Sequence, residues 1–405
     1  MSLAFRGMIV SHPTGNAFVR EAASALAEAG LLGEFHTTLA FFGSGWRGDL
    51  RRRVYPAALR DLTRCHPWRE AVRLLAVRLG LDSLTRHEHG WASVDAVYRS
   101  LDRMVARSLD PKKTSAVYCY EDGALETFRS AQRLGIRRIY DLPIGYWRAA
   151  RRILSVEAAR RPAWACTIEG LRDSEEKLDR KDEELRLADR IIVASSFTAQ
   201  TLEECPFPVA QVSVVSYGTD QPSGERAAVR REGPLRVLFV GSLSQRKGIA
   251  DVFESVGKMG RHAALTVIGR KTGSACKPLD EALARCRWIP SLPRERILEE
   301  MRGHDVLLFP SLFEGFGLVV TEALAQSLPV ITTAHTCGPD VIEDGVEGFL
   351  VPVSNAEAIT EKLELLDRDR SLLEAMRVAA RNKARKLSWA DYRRRIVEVA
   401  AGLSL

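Results

Sequence analysis

Three features of this sequence predict two doubly wound α/β domains that face a shared cleft. Short β-rich apolar runs alternate with helical stretches from end to end, the pattern of β-α-β units around parallel sheets. The length of 405 residues suits two domains at roughly 100–200 residues each. One polar, turn-rich run at 218–234 breaks the alternation before it starts again.

In chain order the runs Gly7–Ser11, Ala116–Tyr120, Arg138–Leu142, Arg190–Ala194 and Val212–Val215 are expected as strands of the first domain. Leu235–Val240, Ala264–Ile268, Val306–Phe309 and Val330–Thr332 are expected as strands of the second. The stretch between them is too polar to carry a core, so it is read as the linker, with domains at 1–222 and 223–385.

A composition of 46% hydrophobic and 27% charged residues is that of an ordinary globular chain and excludes disordered and collagen-like classes. The net charge of +7 suits an anionic small molecule or a membrane surface, and is too small to argue for nucleic acid. Residues 1–165 hold 26 Arg and Lys against 16 Asp and Glu, so the first domain carries the whole excess. It concentrates at 46–79, where Trp46, Arg47, Arg51, Arg52, Arg53, Arg60, Arg64, Trp68, Arg69, Arg73 and Arg78 interleave with apolar residues at roughly helical spacing. Either a solvated basic face over a buried stripe or a pair of interfacial helices touching a membrane fits that pattern. The segment 172–190, dense in both signs, reads as an exposed helix. Seven cysteines without a C-x-x-C pair read as reduced cytosolic thiols. No apolar run nears the roughly 18 residues of a membrane span, and Arg6 and Gly7 interrupt what a signal peptide would need. A cytoplasmic chain, at most peripheral to the membrane, is therefore expected. Of eight dispersed histidines only His87 and His89 lie close in sequence, so no metal site is expected.

The sharpest chemical signal is Pro310-Ser-Leu-Phe-Glu-Gly-Phe-Gly-Leu-Val-Val-Thr-Glu-Ala-Leu-Ala325, which follows a strand and leads into a helix. Gly315 and Gly317 let the backbone approach a ligand closely, and the first helical N–H groups point outward with the positive end of the dipole. A phosphate fits such a turn. A helix start with Glu314 favoured by the dipole alone would leave the second acid, Glu322, unexplained.

These residues resemble the E-x7-E motif of the retaining nucleotide-sugar glycosyltransferases of family four, which have the GT-B fold. The resemblance implies that Glu314 contacts the transferred sugar, that Gly315, Phe316, Gly317 and Leu318 lie over sugar and diphosphate, and that Glu322 holds the ribose. Phe239-Val-Gly-Ser-Leu-Ser-Gln-Arg-Lys-Gly-Ile249 is similar to the first loop of that family's second domain. Gly241, Ser242, Arg246 and Lys247 would then border the diphosphate, with Lys247 stabilising charge on the leaving group. Many relatives carry Arg where this chain has Ser242, and Arg246 is the nearest substitute. Trp288 and Ile289 sit where relatives hold the nucleobase. Val193-Ala-Ser-Ser-Phe-Thr198 and Cys337-Gly-Pro-Asp-Val341 also match family segments, and Asp340 replaces a more usual Glu. Residues 386–405 resemble the helix that crosses back onto the first domain.

In the first domain Gly15, in the loop Ser11–Ala17, is expected to face the cleft, and His12 beside it is a catalytic candidate or a structural residue. Asp141 stands closest to the position where many relatives place a His that meets the donor sugar. Asp141, with Glu121 and Asp122, is a candidate for the acceptor side or for helix capping. The implied activity is transfer of a hexose from a GDP- or UDP-linked sugar to a glycan or lipid-linked acceptor with retention, in cell-surface polysaccharide or glycolipid synthesis. Glu314, Lys247 and Asp141 are its catalytic candidates, and no further cofactor is needed. A sugar phosphorylase or nucleotide-sugar epimerase of the same fold is the alternative enzyme, and an inactive scaffold the alternative class. A dinucleotide-dependent dehydrogenase lacks the G-x-G-x-x-G it would need.

Overall fold

The computed structural model describes residues 6–43, 53–221, 232–273 and 275–402. Its first nine strands are β1 (Gly7–Ser11), β2 (Leu32–Thr37), β3 (Phe41–Phe42), β4 (Val54–Tyr55), β5 (Thr63–Cys65), β6 (Thr114–Tyr120), β7 (Arg137–Leu142), β8 (Arg190–Val193) and β9 (Val212–Val214). The next six are β10 (Leu235–Val240), β11 (Ala263–Ile268), β12 (Arg287–Ile289), β13 (Val306–Phe309), β14 (Val330–Thr333) and β15 (Gly348–Val351). The first domain is built on a seven-stranded sheet in the order β5-β2-β1-β6-β7-β8-β9, and the second on a six-stranded sheet in the order β12-β11-β10-β13-β14-β15. Strands β3 and β4 form a small separate ribbon. All pairings are parallel, so every strand of a sheet delivers its loop to the same edge.

The central strands are continuous apolar runs because helices cover both faces. Val306–Phe309 is buried throughout, as are Val330 and Ile331 beside it. In each sheet the chain order reverses next to the first strand, at β1/β6 and at β10/β13, which opens a crevice beyond the strand C-termini.

Helix Trp389–Ala401 lies on helix Ala17–Glu28 of the first domain. The Tyr392 hydroxyl donates to the Phe18 carbonyl at 3.3 Å, and Arg393 pairs with Glu21 at 2.6 Å. Across the sheet Arg137 donates to the Val399 and Ala400 carbonyls.

The nine strands read from the sequence are all present, with ends moved by no more than two residues. Two readings need correction. The basic stretch 46–79 is not a pair of helices: beyond residues 44–52, which lie outside the described part, it holds β4, a 3-10 turn at Ala57–Leu59 and β5 before helix Trp68–Arg78. The spacing misled because arginines recur there regardless of backbone. The segment 172–190 does form a helix, Glu175–Leu187, but its Asp182 and Glu184 are buried rather than solvated. Among the described residues no helix is long and apolar enough to cross a membrane.

Candidate active site

Between the two sheet edges lies a cavity of about 460 Å³. The loop after β10 supplies Gly241, Ser242, Arg246 and Lys247 to its wall, and the loop and helix after β13 supply Glu314, Gly315, Phe316, Gly317, Leu318 and Glu322. Phe18, Pro143, Ile144 and Tyr217 close it from the first domain. A larger depression of about 630 Å³ on the first domain is lined by charges that pair with one another, such as Arg129 with Glu126 and Lys177 with Asp95. It is confined to the first domain, whereas the smaller cavity is lined by both domains.

Glu314 is 8% exposed. Its Oε1 accepts from Arg246 Nη1 at 2.8 Å and, in a closer contact, from Lys247 Nζ. Burial alone would raise the Glu314 carboxyl, yet the two cations outweigh it and hold it below its usual range. Burial dominates at Lys247 and lowers its ammonium despite Glu314. Arg246 is anchored a second time on the Phe313 carbonyl at 2.7 Å, so it faces the cavity rather than solvent. A second cation therefore lines the same cavity as Ser242. Its position depends on tertiary contacts with Phe313 and Glu314, which no local pattern reveals.

Gly317 caps helix Leu318–Ala325 with φ of +89°, a left-handed backbone that glycine adopts without strain. The Val320 amide closes back onto the Gly317 carbonyl at 2.9 Å, and Leu318 and Val319 at the head of the helix line the cavity, with the positive end of the helix dipole toward it. Gly315 is needed for another reason: a Cβ there would stand 1.8 Å from the Pro143 carbonyl of the first domain. The Gly315 carbonyl accepts from Ser195 Oγ at 2.6 Å and Thr198 Oγ1 at 2.8 Å. Ser195 and Thr198 stand in the Val193–Thr198 segment noted above, and they clamp the glycine turn across the domain boundary. A second link joins the Ser196 amide to Asp340 at 3.0 Å.

Glu322 is bound by Arg294 Nε at 2.8 Å, and Arg294 reaches on to Asp220 at 2.7 Å. Burial raises the Glu322 carboxyl, with Arg294 opposing. Arg294 was not legible as a site residue, since it starts a helix 28 positions away from its partner.

Other expected residues lie off this wall. Trp288 and Ile289 sit on edge strand β12, where the Trp288 indole donates to the Gly269 carbonyl at 2.9 Å. Gly15 is buried and its carbonyl accepts from Arg20. His12 is enclosed by Phe18, Tyr98 and Tyr120, its Nδ1 accepts from the Thr14 amide at 3.0 Å, and burial lowers it to about 4. It is a neutral structural histidine at ordinary pH. Glu121 pairs with Lys181 at 3.4 Å. The capping role considered for Asp122 belongs to Glu184, which accepts from the amides of Asp122, Ala124 and Leu125, and to Asp102, which accepts from those of Glu126 and Thr127.

Asp141 is the main correction. It is 2% exposed and is not on the cavity wall; the Tyr118 hydroxyl donates to it at 2.6 Å. Its strand is covered on both faces, so the side chain ends in the core. Burial pushes its carboxyl up to about 7. A folded-state value above the unfolded one means that stability is full below about pH 4 and is lost as pH rises through about 7, at most about 4 kcal/mol. Asp141→Asn keeps an acceptor for Tyr118 without the charge. Its melting temperature should therefore rise above that of the wild type by a margin that widens between pH 4 and 7 and then stays constant. Parallel melting curves across that range would contradict the buried charge.

Among the described residues His87, Glu88 and Asp173 bring ligand atoms within 4.8 Å of one another, but Lys177 Nζ already sits 3.1 Å from Asp173. The structure also brings His36 and His66 to 3.1 Å, a pairing the sequence separation hid.

Residues 221–383 match the family model of glycosyl transferases group 1. The chain is 26% identical over 216 residues to the putative colanic acid biosynthesis glycosyltransferase WcaL of Salmonella typhimurium, covering 49% of this chain and 52% of that protein. It is 32% identical over 188 residues to the D-inositol 3-phosphate glycosyltransferase of Streptomyces griseus, covering 42% of this chain and 40% of that one. The match thus spans about half the length of these relatives. Among solved structures, Anabaena HepE in complex with UDP and glucose superposes with a TM-score of 0.63 at 14% identity, over 98% of this chain and 100% of that one. Sequence over the second domain and fold over the whole chain agree: residues 221–383 are a glycosyl transferases group 1 domain, carried in a GT-B fold.

Proposed function

We propose that the protein transfers a hexose from a nucleoside-diphosphate sugar to a glycan or lipid-linked acceptor, with retention of configuration, in cell-surface polysaccharide or glycolipid synthesis. The observation that carries this reading is the meeting of two cations, a helix N-terminus, the buried Glu314 and the half-buried Glu322 around one cavity at both sheet edges. The diphosphate lies against the Leu318 helix start, with Lys247 and Arg246 beside it. As the glycosidic bond breaks, these groups stabilise charge on the departing phosphate, which itself takes the acceptor proton. A side-chain base is then unnecessary, which agrees with Asp141 being buried. Glu314 orients the sugar hydroxyls as an acceptor-only group, and Glu322 takes the ribose in exchange for Arg294. The relative named for colanic acid biosynthesis supports polysaccharide synthesis, and HepE with UDP supports the class of donor.

A thermal-shift series with UDP, GDP and ADP and their hexose conjugates tests the donor. One nucleotide at about 100 times its Kd should add about 2.7 kcal/mol, or about 5–10 °C. No shift with any of them would defeat this reading. A shift without transfer to any carbohydrate would favour the scaffold instead.

A further inference from the structure

Helix Trp68–Arg78 is turned inside out. It buries Glu70, which is 1% exposed and paired with Arg53 and Arg73, while it shows tryptophan and leucine to solvent. Trp68, Leu75 and Leu79 recur at i, i+7 and i+11, one stripe along the helix and just past its end, and are 73%, 57% and 62% exposed. Leu81 extends the stripe, and exposed Trp91 stands beside it with the Arg69 guanidinium 4.3 Å over its ring. Exposed apolar residues gathered in one patch mark an interaction surface rather than ordinary scatter.

The charge around this patch selects the partner. Between residues 60 and 86 stand Arg60, Arg64, Arg69, Arg73, Arg78 and Arg86 against Asp61, Glu70 and Asp82. Glu70 is spent inside the domain, and among the described residues Arg78 and Arg86 are exposed and make no ion pair. A second copy of the chain would bring like charges together. A surface of anionic phospholipid would meet arginines with phosphates and give tryptophan and leucine the headgroup boundary they favour. The helix begins three residues after Cys65, the C-terminal end of β5, so the patch adjoins the sheet edge that faces the cleft.

We propose that the Trp68–Leu81 face docks on an anionic lipid bilayer. Trp68, Leu75 and Leu79 enter the boundary of headgroups and acyl chains, and Arg78 and Arg86 hold lipid phosphates. This goes beyond the transfer reaction, since a vesicle can be bound with no donor present.

Co-sedimentation of the full chain, without nucleotide, with vesicles of phosphatidylcholine alone or mixed with phosphatidylglycerol tests it. The wild type should partition to the anionic vesicles and be released by salt. Trp68→Ser/Leu75→Ser/Leu79→Ser should bind at least about tenfold more weakly. Arg78→Glu/Arg86→Glu, which alters no core contact, should lose the preference for phosphatidylglycerol and decides the matter if the triple variant melts early. Absence of wild-type binding, binding unchanged in a folded variant, or a dimer that the triple variant dissolves without any vesicle binding would each overturn the proposal. A wild type that binds vesicles but shows no thermal shift with nucleotides would leave the docking face standing and remove the donor reading alone.

Discussion

Glu314→Gln should lower the turnover number for sugar transfer by about 10²–10³-fold, while the affinity for the free nucleotide changes little. The carboxylate is almost fully buried and is held by both Arg246 and Lys247, so its charge is fixed in place before a sugar arrives. Glutamine keeps the shape but replaces an acceptor with an amide that also donates, and it leaves two neighbouring cations without their shared counter-ion. Lys247, already lowered by burial, then loses the partner that favours its charged form. Steady-state kinetics with the donor found by thermal shift, set beside the nucleotide dissociation constant, separates loss of chemistry from loss of binding. Transfer at the wild-type rate would remove Glu314 from the site and with it the assignment of sugar and diphosphate to this cavity.

Gly315→Ala should act on the same reaction by a different route. The added methyl would meet the Pro143 carbonyl 1.8 Å away, so the glycine turn must retreat from the first domain. Its carbonyl would then leave Ser195 and Thr198, which hold it at 2.6 and 2.8 Å. Overpacking of this kind costs about 1–3 kcal/mol, or about 2–12 °C in melting temperature for a domain of this size. A displacement near 1 Å between donor loop and acceptor side is expected to cost about 10²-fold in kcat/KM. Ser195→Ala/Thr198→Ala, which removes the clamp without the clash but also the Ser195 cap of helix Ser196–Thr201, should slow transfer with a comparable loss of stability. If Gly315→Ala transfers normally, the closed arrangement is not the one that reacts.

The parts of the fold that sequence revealed are those whose information is local. Val306–Phe309 and Leu235–Val240 are unbroken apolar runs because both faces are covered, and the glycines after them mark turns. Strand Leu32–Thr37 was hidden by Gly33, Glu34 and His36, and β5 and β12 by their brevity and by an arginine in each. In the site, Glu314, Gly315, Gly317 and Glu322 were legible because one short segment carries them all. The role of Ser195, 120 positions from Gly315, was not, and neither was that of Arg294, because each depends on a contact made only after both sheets have formed. Asp141 misled in the opposite sense. An acid at a strand's C-terminal end looks like a cleft residue, but the fold turned this one inward onto a tyrosine.

The last helix has a bearing on biogenesis. Tyr392 meets the Phe18 carbonyl across 374 positions of sequence, so the covering of the first domain cannot be completed until the chain through Tyr392 has left the ribosome. Contacts this distant slow folding and keep apolar surface bare during synthesis. Helix Ala17–Glu28 is the surface that waits for this cover, because helix Trp389–Ala401 packs directly on it.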